Sequence, residues 1–356
     1  MTLGVCMIVK NEIEVLERAL LGVKDIADEI VIVDTGSCDG TVEKAREFTD
    51  KVYYFKWRDD FAAARNFALS KLASDYWMWL DADDIVPTAT AAAIKKLMRG
   101  KPFDAAMLPY VLTQTPSGAP DFSYCRERII KNSPEFYWQG RVHEAVTVFG
   151  NVVRLDAPVI HGKPATRRTG TRNLDIYKKM LAGGQKLTPR ETYYYARELF
   201  YNGYTEQAAQ AFTDFLAMPD GFYVNKVDAC IMLSSCYGIS GNTELALAAA
   251  YRSFCYGLPT GEACCRLGEL YFASRDYRAA AYWYDRALHA KPDIGSGAFV
   301  NGECYSFIPL VWLSVCYDRM GNVKKAFRYH ARARRIRPDH PSVVANTEYF
   351  RSLGYE

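Results

Sequence analysis

At 356 residues, 49% of them hydrophobic and 24% charged, the chain is too long for one typical domain and too apolar to be disordered, so two cores are expected. A net charge of +3 with no recognition motif argues against nucleic acid as a partner, and no apolar run reaches the roughly 20 residues that span a bilayer. Ten cysteines are too sparse for a disulfide scaffold, lack paired CxxC spacing and sit mostly in apolar helical contexts (Cys230, Cys236, Cys264, Cys316). They read as core residues in a reducing compartment. An apolar strand beginning at Leu3, with no basic leader before it, adds the expectation of a cytoplasmic protein whose membrane association is at most peripheral.

The first 160 or so residues alternate short β-rich runs with amphipathic helical stretches. Strands are expected at 3–9, 29–34, 52–55 and 76–80, and helices near 12–21, 41–48 and 60–72, an order that implies an α/β fold with a mainly parallel sheet and right-handed crossovers. Strand one ends in Val9-Lys10-Asn11-Glu12 and strand two in Asp34-Thr35-Gly36-Ser37-Cys38-Asp39-Gly40-Thr41. The glycines permit a tight turn with positive φ, and Asp39 or Thr41 can cap the next helix. The turn has neither the lysine of a P-loop nor the three glycines of a dinucleotide fingerprint.

The fourth strand runs from Tyr76-Trp77-Met78-Trp79-Leu80 directly into Asp81-Ala82-Asp83-Asp84. A short run that is apolar on both faces fits a central strand, and the carboxyl ends of such strands face the ligand crevice of an open α/β sheet. One carboxylate there can hold a hard divalent cation while its neighbour reaches a hydroxyl of the ligand that the cation grips. The alternative is that Asp81, Asp83 and Asp84 cap a helix starting near Pro87, but a cap needs one aspartate, and three clustered carboxylates repel each other without a counter-ion.

Val9-Lys10-Asn11-Glu12, the Asp34–Thr41 turn, Asp60-Phe61 with Arg65-Asn66, and Trp79-Leu80-Asp81-Ala82-Asp83-Asp84 resemble, in order, the successive motifs of family-2 glycosyltransferases. The resemblance covers roughly residues 1–165 and implies a GT-A-like nucleotide-sugar domain. It implies that Asp34 hydrogen-bonds the base, usually uracil, with Val9, Asn11, Glu12 and Ala82 among the donor-binding residues. It also implies that Arg65 lines the nucleotide pocket, Asp81 faces the ribose, and Asp83 binds Mn²⁺ or Mg²⁺ on the diphosphate. Where Asp84 stands the subgroup usually has glutamate, so a direct role for Asp84 does not carry over. The chemistry is consistent, because a bound divalent cation stabilises charge on the leaving diphosphate without a protonated acid, and Arg65 can add to that effect.

Residues 105–160 are less regular, with a Pro/Gly-rich loop at 115–120 and a strand-like run at 126–130, and are expected to form the acceptor side. Two of the five histidines fall here, in Trp138-Gln139-Gly140-Arg141-Val142-His143-Glu144 and in Val159-Ile160-His161-Gly162. Inverting transfer to a hydroxyl or thiol needs a base opposite the leaving group, and Glu144, with His143 beside it, suits that role. Relatives of the family place a Gly-x-x-His-Glu segment here and a histidine near the metal at the position of His161. The competing reading for both histidines is a satisfied core residue.

Beyond Gly162 the pattern is purely helical. Cys264, Leu267, Gly268 and Tyr271, then Ala280 and Tyr284, then Pro292 resemble the tetratricopeptide pattern, and Ala208, Ala246, Ala280 and Ala326 mark units 38, 34 and 46 residues apart, the last stretched by an insertion around 293–303. Leu233 and Tyr237 belong to the second unit, and Leu313, Tyr317 and Pro338 to the fourth. The expected domains are therefore a glycosyltransferase domain at 1–165 and a helical solenoid at 166–356, which serves architecture, homo-oligomerisation or recognition of an acceptor polypeptide. The basic run at 324–337 is expected as a solvated face, with an anionic lipid or acidic partner as the alternative. The whole reads as a metal-dependent, inverting glycosyltransferase that moves sugar from a UDP-sugar to a peptide, protein or glycan. It resembles bacterial family-2 enzymes with such repeats, among them peptide S- and O-glycosyltransferases and envelope-polysaccharide enzymes. The alternative is a scaffold that keeps the nucleotide-sugar fold without turnover. A nucleotidyltransferase is disfavoured, since no glycine-rich basic loop follows the first strand.

Overall fold

The computed structural model describes residues 1–114, 118, 120–162 and 170–355 and divides into two compact units, Met1–Lys186 and Leu187–Glu356. The boundary expected at 165/166 lies outside the described residues, as do residues 115–117 and 119 of the expected loop. The first unit contains β1 (Leu3–Val9), α1 (Leu16–Val23), β2 (Glu29–Asp34), α2 (Thr41–Arg46), β3 (Val52–Tyr54), α3 (Phe61–Leu69), β4 (Tyr76–Leu80), β5 (Asp84–Ile85) and α4 (Thr88–Met98). There follow β6 (Ala105–Gln114), β7 (Pro120–Lys131), β8 (Trp138–Gln139), β9 (Ala145–Val146), β10 (Val152–Arg154), β11 (Val159–His161) and α5 (Arg172–Ala182). Helix α5 belongs to this unit: Lys179 pairs with Asp59 at 2.6 Å, and the Tyr177 hydroxyl donates to the Val142 carbonyl at 3.4 Å.

The main sheet runs β3-β2-β1-β4-β7-β6-β11-β5, with β10 also on β6. The half from β3 to β4 is parallel, as the alternation implied. The other half is mixed, and the sheet as a whole stays mainly parallel: β10 and β11 run parallel to β6, whereas β5 runs antiparallel to β11, and β7 runs antiparallel to β4 and to β6, to which a short connection joins it. Strand β4 is central and wholly buried. Its Tyr76, Met78 and Leu80 pack with α1 and α4, while Trp77 and Trp79 pack on the opposite face with α3, Phe136 and Trp138.

Helix α1 starts at Leu16 instead of near 12, after a loop in which Asn11 is left-handed (φ 55°). The backbone N–H groups of Asn11, Glu12 and Ile13 donate to Ser37 Oγ (2.9 Å), Thr41 Oγ1 (2.8 Å) and Asp39 Oδ2 (3.3 Å), which ties that loop to the turn after β2. Helix α3 starts where expected because Asp60 accepts from the Ala63 N–H at 2.8 Å.

At the opposite end of the sheet Glu29 accepts from the N–H groups of Ala73 and Ser74 (2.7 and 2.6 Å), the Ser74 hydroxyl and Lys51 (both 2.5 Å). Burial pushes its carboxyl up, but Lys51, Ser74 and the backbone donors outweigh that and hold it at about 2, against an ordinary 4.5. A depressed folded-state pKa adds stability that is complete above about 4.5 and lost as the pH falls towards 2. Glu29→Gln is expected to cost on the order of 2–3 kcal/mol at neutral pH and much less near pH 2. Urea unfolding at the two pH values checks this; an equal loss at both would contradict it.

The second unit contains α6 (Pro189–Tyr201), α7 (Thr205–Ala217), α8 (Tyr223–Ile239), α9 (Thr243–Arg252), α10 (Gly261–Ala273), α11 (Tyr277–His289), α12 (Phe307–Arg319), α13 (Val323–Ile336) and α14 (Pro341–Ser352). Ala208, Ala246, Ala280 and Ala326 each lie fully buried on the second helix of a hairpin, as the repeat pattern requires. Gly268 must be small, because a Cβ there would stand 2.8 Å from the Tyr284 ring. That ring in turn stacks on Trp312 of the next hairpin at 5.8 Å. The insertion before α12 is anchored by Glu262, which accepts from the Asn301 N–H (2.8 Å) and the Tyr305 hydroxyl (2.7 Å). Most of the basic run lies on α13 with Lys324, Arg328, Arg332, Arg334 and Arg335 exposed, whereas Lys325 donates to Tyr317 and Arg337 pairs with Glu303. No described helix is long and apolar enough to cross a membrane.

Candidate active site

The parallel register pairs Val9 with Asp34 and Met7 with Leu80, so the polar ends of β1, β2 and β4 meet at one edge of the sheet. The Val9 carbonyl accepts from both the N–H and the hydroxyl of Thr35 at 3.0 Å. Asp34 is buried and turns its carboxylate onto the N–H groups of Gly36 (3.0 Å) and Ser37 (3.1 Å). Asn11, in a left-handed conformation (φ 55°), accepts from the Cys38 N–H at 2.8 Å. These contacts join the two expected donor-binding segments, Val9–Glu12 and Asp34–Thr41, into one cradle.

Arg65 enters from α3. Its Nε donates to Glu144 at 2.6 Å and its terminal nitrogen to Asp81 at 2.7 Å, while the guanidinium lies over the rings of Trp138 (4.9 Å) and Trp79 (5.2 Å). Burial disfavours the cation, but Asp81 and Glu144 more than offset this and raise its pKa above the ordinary value. Arg65 thus joins the acidic turn to the segment expected to carry the base. That segment is the tip of the β8–β9 hairpin, held to α3 by the Phe61 N–H donating to the Arg141 carbonyl at 2.9 Å. His143 at the tip has φ 52°, a left-handed conformation that costs a non-glycine residue on the order of 1 kcal/mol or more.

The three aspartates after β4 have different surroundings. Asp81 is partly exposed and bound to Arg65, and Ala82 is buried beside it. Asp84 is completely buried; its Oδ2 accepts from Arg128 (2.8 Å) and the Asp81 N–H (3.0 Å), and its Oδ1 from the Tyr110 hydroxyl (2.8 Å). Burial pushes the Asp84 carboxyl up, but Arg128, His161, the Asp81 N–H and Tyr110 hold it at about 2. None of the three caps α4, which begins at Thr88 behind Pro87 with no side-chain cap.

Asp83 lies against His161, with 3.4 Å between Oδ1 and Nδ1, although the two are 78 positions apart in the chain. Pairing of β5 with β11 sets His161 opposite Asp84, and the Gly162 N–H donates to the Asp83 carbonyl at 2.8 Å. Arg18 of α1 clamps the junction by donating to the carbonyls of Asp83 (3.3 Å) and Gly162 (2.7 Å). Gly162 has to be glycine, since a Cβ would lie 2.4 Å from the Arg18 guanidinium and 2.9 Å from the Asp83 carbonyl.

Burial raises the Asp83 pKa, with Asp81, Asp84 and Glu12 adding to the shift and His161 opposing it. Burial alone would lower that of His161, but Asp84, Asp83 and Asp81 raise it. The cluster is thus short of positive charge. Asp83, Asp84 and His161 offer ligand atoms within 4.8 Å of one another, a carboxylate and imidazole set of the kind that holds a divalent cation, though both oxygens of Asp84 already hold partners.

Arg128, Tyr110 and Arg18 escape sequence reasoning. For Arg128 a signal exists, because Arg126-Glu127-Arg128 places charges inside an otherwise strand-like run, and residues 127 and 128 prove buried.

Residues 4–147 match the family model "Glycosyl transferase family 2", and residues 261–294 match "Tetratricopeptide repeat". Among curated proteins, the chain is 34% identical over 143 residues to a TPR repeat-containing protein of Synechococcus elongatus, a match covering 40% of this chain and 35% of that protein. It is 26% identical over 220 residues to the SPbeta prophage-derived glycosyltransferase SunS of Bacillus subtilis, covering 57% and 50%. An uncharacterized glycosyltransferase of Rickettsia felis is 36% identical over 78 residues, covering 22% and 27%. The chain therefore spans half or less of the length of these relatives. A match to the glycosyltransferase family 2 model followed by one to the tetratricopeptide model is the combination that the motifs implied.

Proposed function

We propose that this chain transfers a glycosyl group, with inversion, from a UDP-sugar to a hydroxyl or thiol of a peptide, protein or glycan, with Mn²⁺ or Mg²⁺ held by Asp83 and His161. The observation that carries the reading is the convergence of Asp34, Asp81, Asp83 and His161 at the carboxyl ends of β2, β4 and β11, three of them in the segment that matches the glycosyltransferase family model. Asp34 accepts a hydrogen bond from the base, in the cradle lined by Val9, Asn11 and Glu12. Asp81 accepts from a ribose hydroxyl, and the small side chain of Ala82 lets the backbone approach the donor. When bound, the cation supplies positive charge to the diphosphate oxygen that becomes the leaving group. Glu144, with one oxygen on Arg65, takes the acceptor proton as the new bond to the anomeric carbon forms and the bond to the diphosphate breaks; His143 flanks it. The helical repeats hold the acceptor polypeptide or a second copy, and the site of action is the cytoplasm.

Donor binding to the native state alone must raise the melting temperature. With Mn²⁺ present, UDP and UDP-sugars are expected to do so, and NAD and ATP at the same concentration are not. A shift with ATP alone would overturn the reading.

A further inference from the structure

We propose that Asn66 is a positioning residue for the acceptor side: its carboxamide pairs with both backbone groups of Trp138 and so holds the β8–β9 hairpin, with Glu144 near its tip, against α3. The inference rests on the reading of Glu144 as the base. The hairpin needs such a holder. Strands β8 and β9 have two residues each and form a two-stranded sheet of their own, and such a ribbon is marginally stable by itself. Its tip also carries Gly140 (φ 88°) and His143 (φ 52°) in left-handed conformations, the second at a cost.

Asn66 supplies what a third strand would. Alternate residues of an antiparallel strand turn both N–H and C=O to the same side. Trp138 turns both to Asn66: its N–H donates to Asn66 Oδ1 at 2.8 Å, and its carbonyl accepts from Asn66 Nδ2 at 2.9 Å. A carboxamide carries an acceptor and a donor side by side on one planar group, whereas an aspartate would lack the donor. With its main chain fixed, Trp138 is buried edge-on against Trp79 (5.3 Å, 82°), and the Arg65 guanidinium lies 4.9 Å over its ring with Nε on Glu144 at 2.6 Å. From the first turn of the same helix, the Phe61 N–H donates to the Arg141 carbonyl at 2.9 Å. Helix α3 thus grips the hairpin at its first strand, at its tip and at the base, and Asn66 acts on Glu144 through Trp138 and Arg65. The plain alternative is an asparagine that steadies the fold and has no bearing on the base.

Hydrogen exchange of the metal-free full chain, read by mass spectrometry, compares the wild type with Asn66→Ala. Amides of residues 138–146 are expected to exchange about tenfold faster in the variant, the scale of two lost hydrogen bonds, with β1 and β4 unchanged. UDP-sugar hydrolysis with Mn²⁺ is expected to lose on the order of 10²-fold in kcat, with the donor KM within about twofold of the wild type. A role in the fold alone would leave kcat per folded molecule where it was. Unaltered exchange at 138–146 in a folded Asn66→Ala, a wild-type kcat, or a rise in donor KM at constant kcat would overturn the proposal. Should Asn66→Ala not fold, Asn66→Asp, which keeps the oxygen for the Trp138 N–H and loses the donor to its carbonyl, is read by the same criteria. Full hydrolysis in Glu144→Gln, or none in the wild type, would sink the reading of Glu144 as the base, and exchange at 138–146 would still decide the anchor.

Discussion

Arg128→Met is expected to destabilise the first unit by about 3–5 kcal/mol, because it leaves Asp84 charged, completely buried and without its counter-ion. Methionine fills much of the arginine volume, so the loss reports charge more than cavity. Arg128 also donates to the Trp79 carbonyl at 3.1 Å and lies 3.6 Å over the Trp79 ring, a stack that accompanies a guanidinium whose Nε and second terminal nitrogen have no hydrogen-bond partner among the described residues. Asp84, held at about 2 against an ordinary 3.8, contributes stability above about pH 4 that is lost as the pH falls towards 2. In Arg128→Met that dependence should reverse, since the lone buried carboxyl prefers to be protonated. Adding Asp84→Asn should restore part of the loss. Urea unfolding across pH, with hydrogen exchange at β1 and β4 assigning the change to the first unit, measures all three; a cost below 1 kcal/mol would contradict the buried-pair reading.

Asp83→Ala is expected to lower metal-dependent turnover by on the order of 10³-fold, the scale of removing one charge-stabilising contact from a transition state. The metal-free fold should survive intact. Asp83 sits half-enclosed beside Asp81 and Asp84, so its removal relieves repulsion and burial that only His161 opposes. A loss of activity together with a lower melting temperature of the metal-free protein would instead assign Asp83 to the scaffold.

Much of this was legible in the residues. Strand β4 announced itself because Tyr76 to Leu80 are apolar on both faces, and the structure buries all five. The small residues of the repeats were readable for the same reason, since close helix packing leaves a periodic mark, and Gly268 against Tyr284 is its physical content. The cradle of Asn11 and Ser37 to Thr41 was visible only as two polar strand ends, because hydrogen bonds between them depend on register. Tyr110 was not legible as a site residue, and Arg128 only as a charge inside a strand-like run. They come from β6 and β7, where side chains alternate between faces, and a single bulge exchanges the inward set for the outward one; three register shifts occur between these strands. The meeting of Asp83 with His161 was implied by the family resemblance and not by periodicity, since the two-residue strand β5 leaves no periodic signature. The Arg65 bridge from Asp81 to Glu144 needed the third dimension too, with partners 16 and 79 positions away.

Release of UDP from a panel of UDP-sugars, followed over time with purified chain and Mn²⁺, tests the central claim most directly. At least one UDP-sugar should be turned over, in a manner abolished by chelation, restored by added Mn²⁺ or Mg²⁺, and lost in Asp83→Ala. Turnover that survives both chelation and Asp83→Ala, or a folded protein that binds no UDP-sugar in the panel, would contradict it.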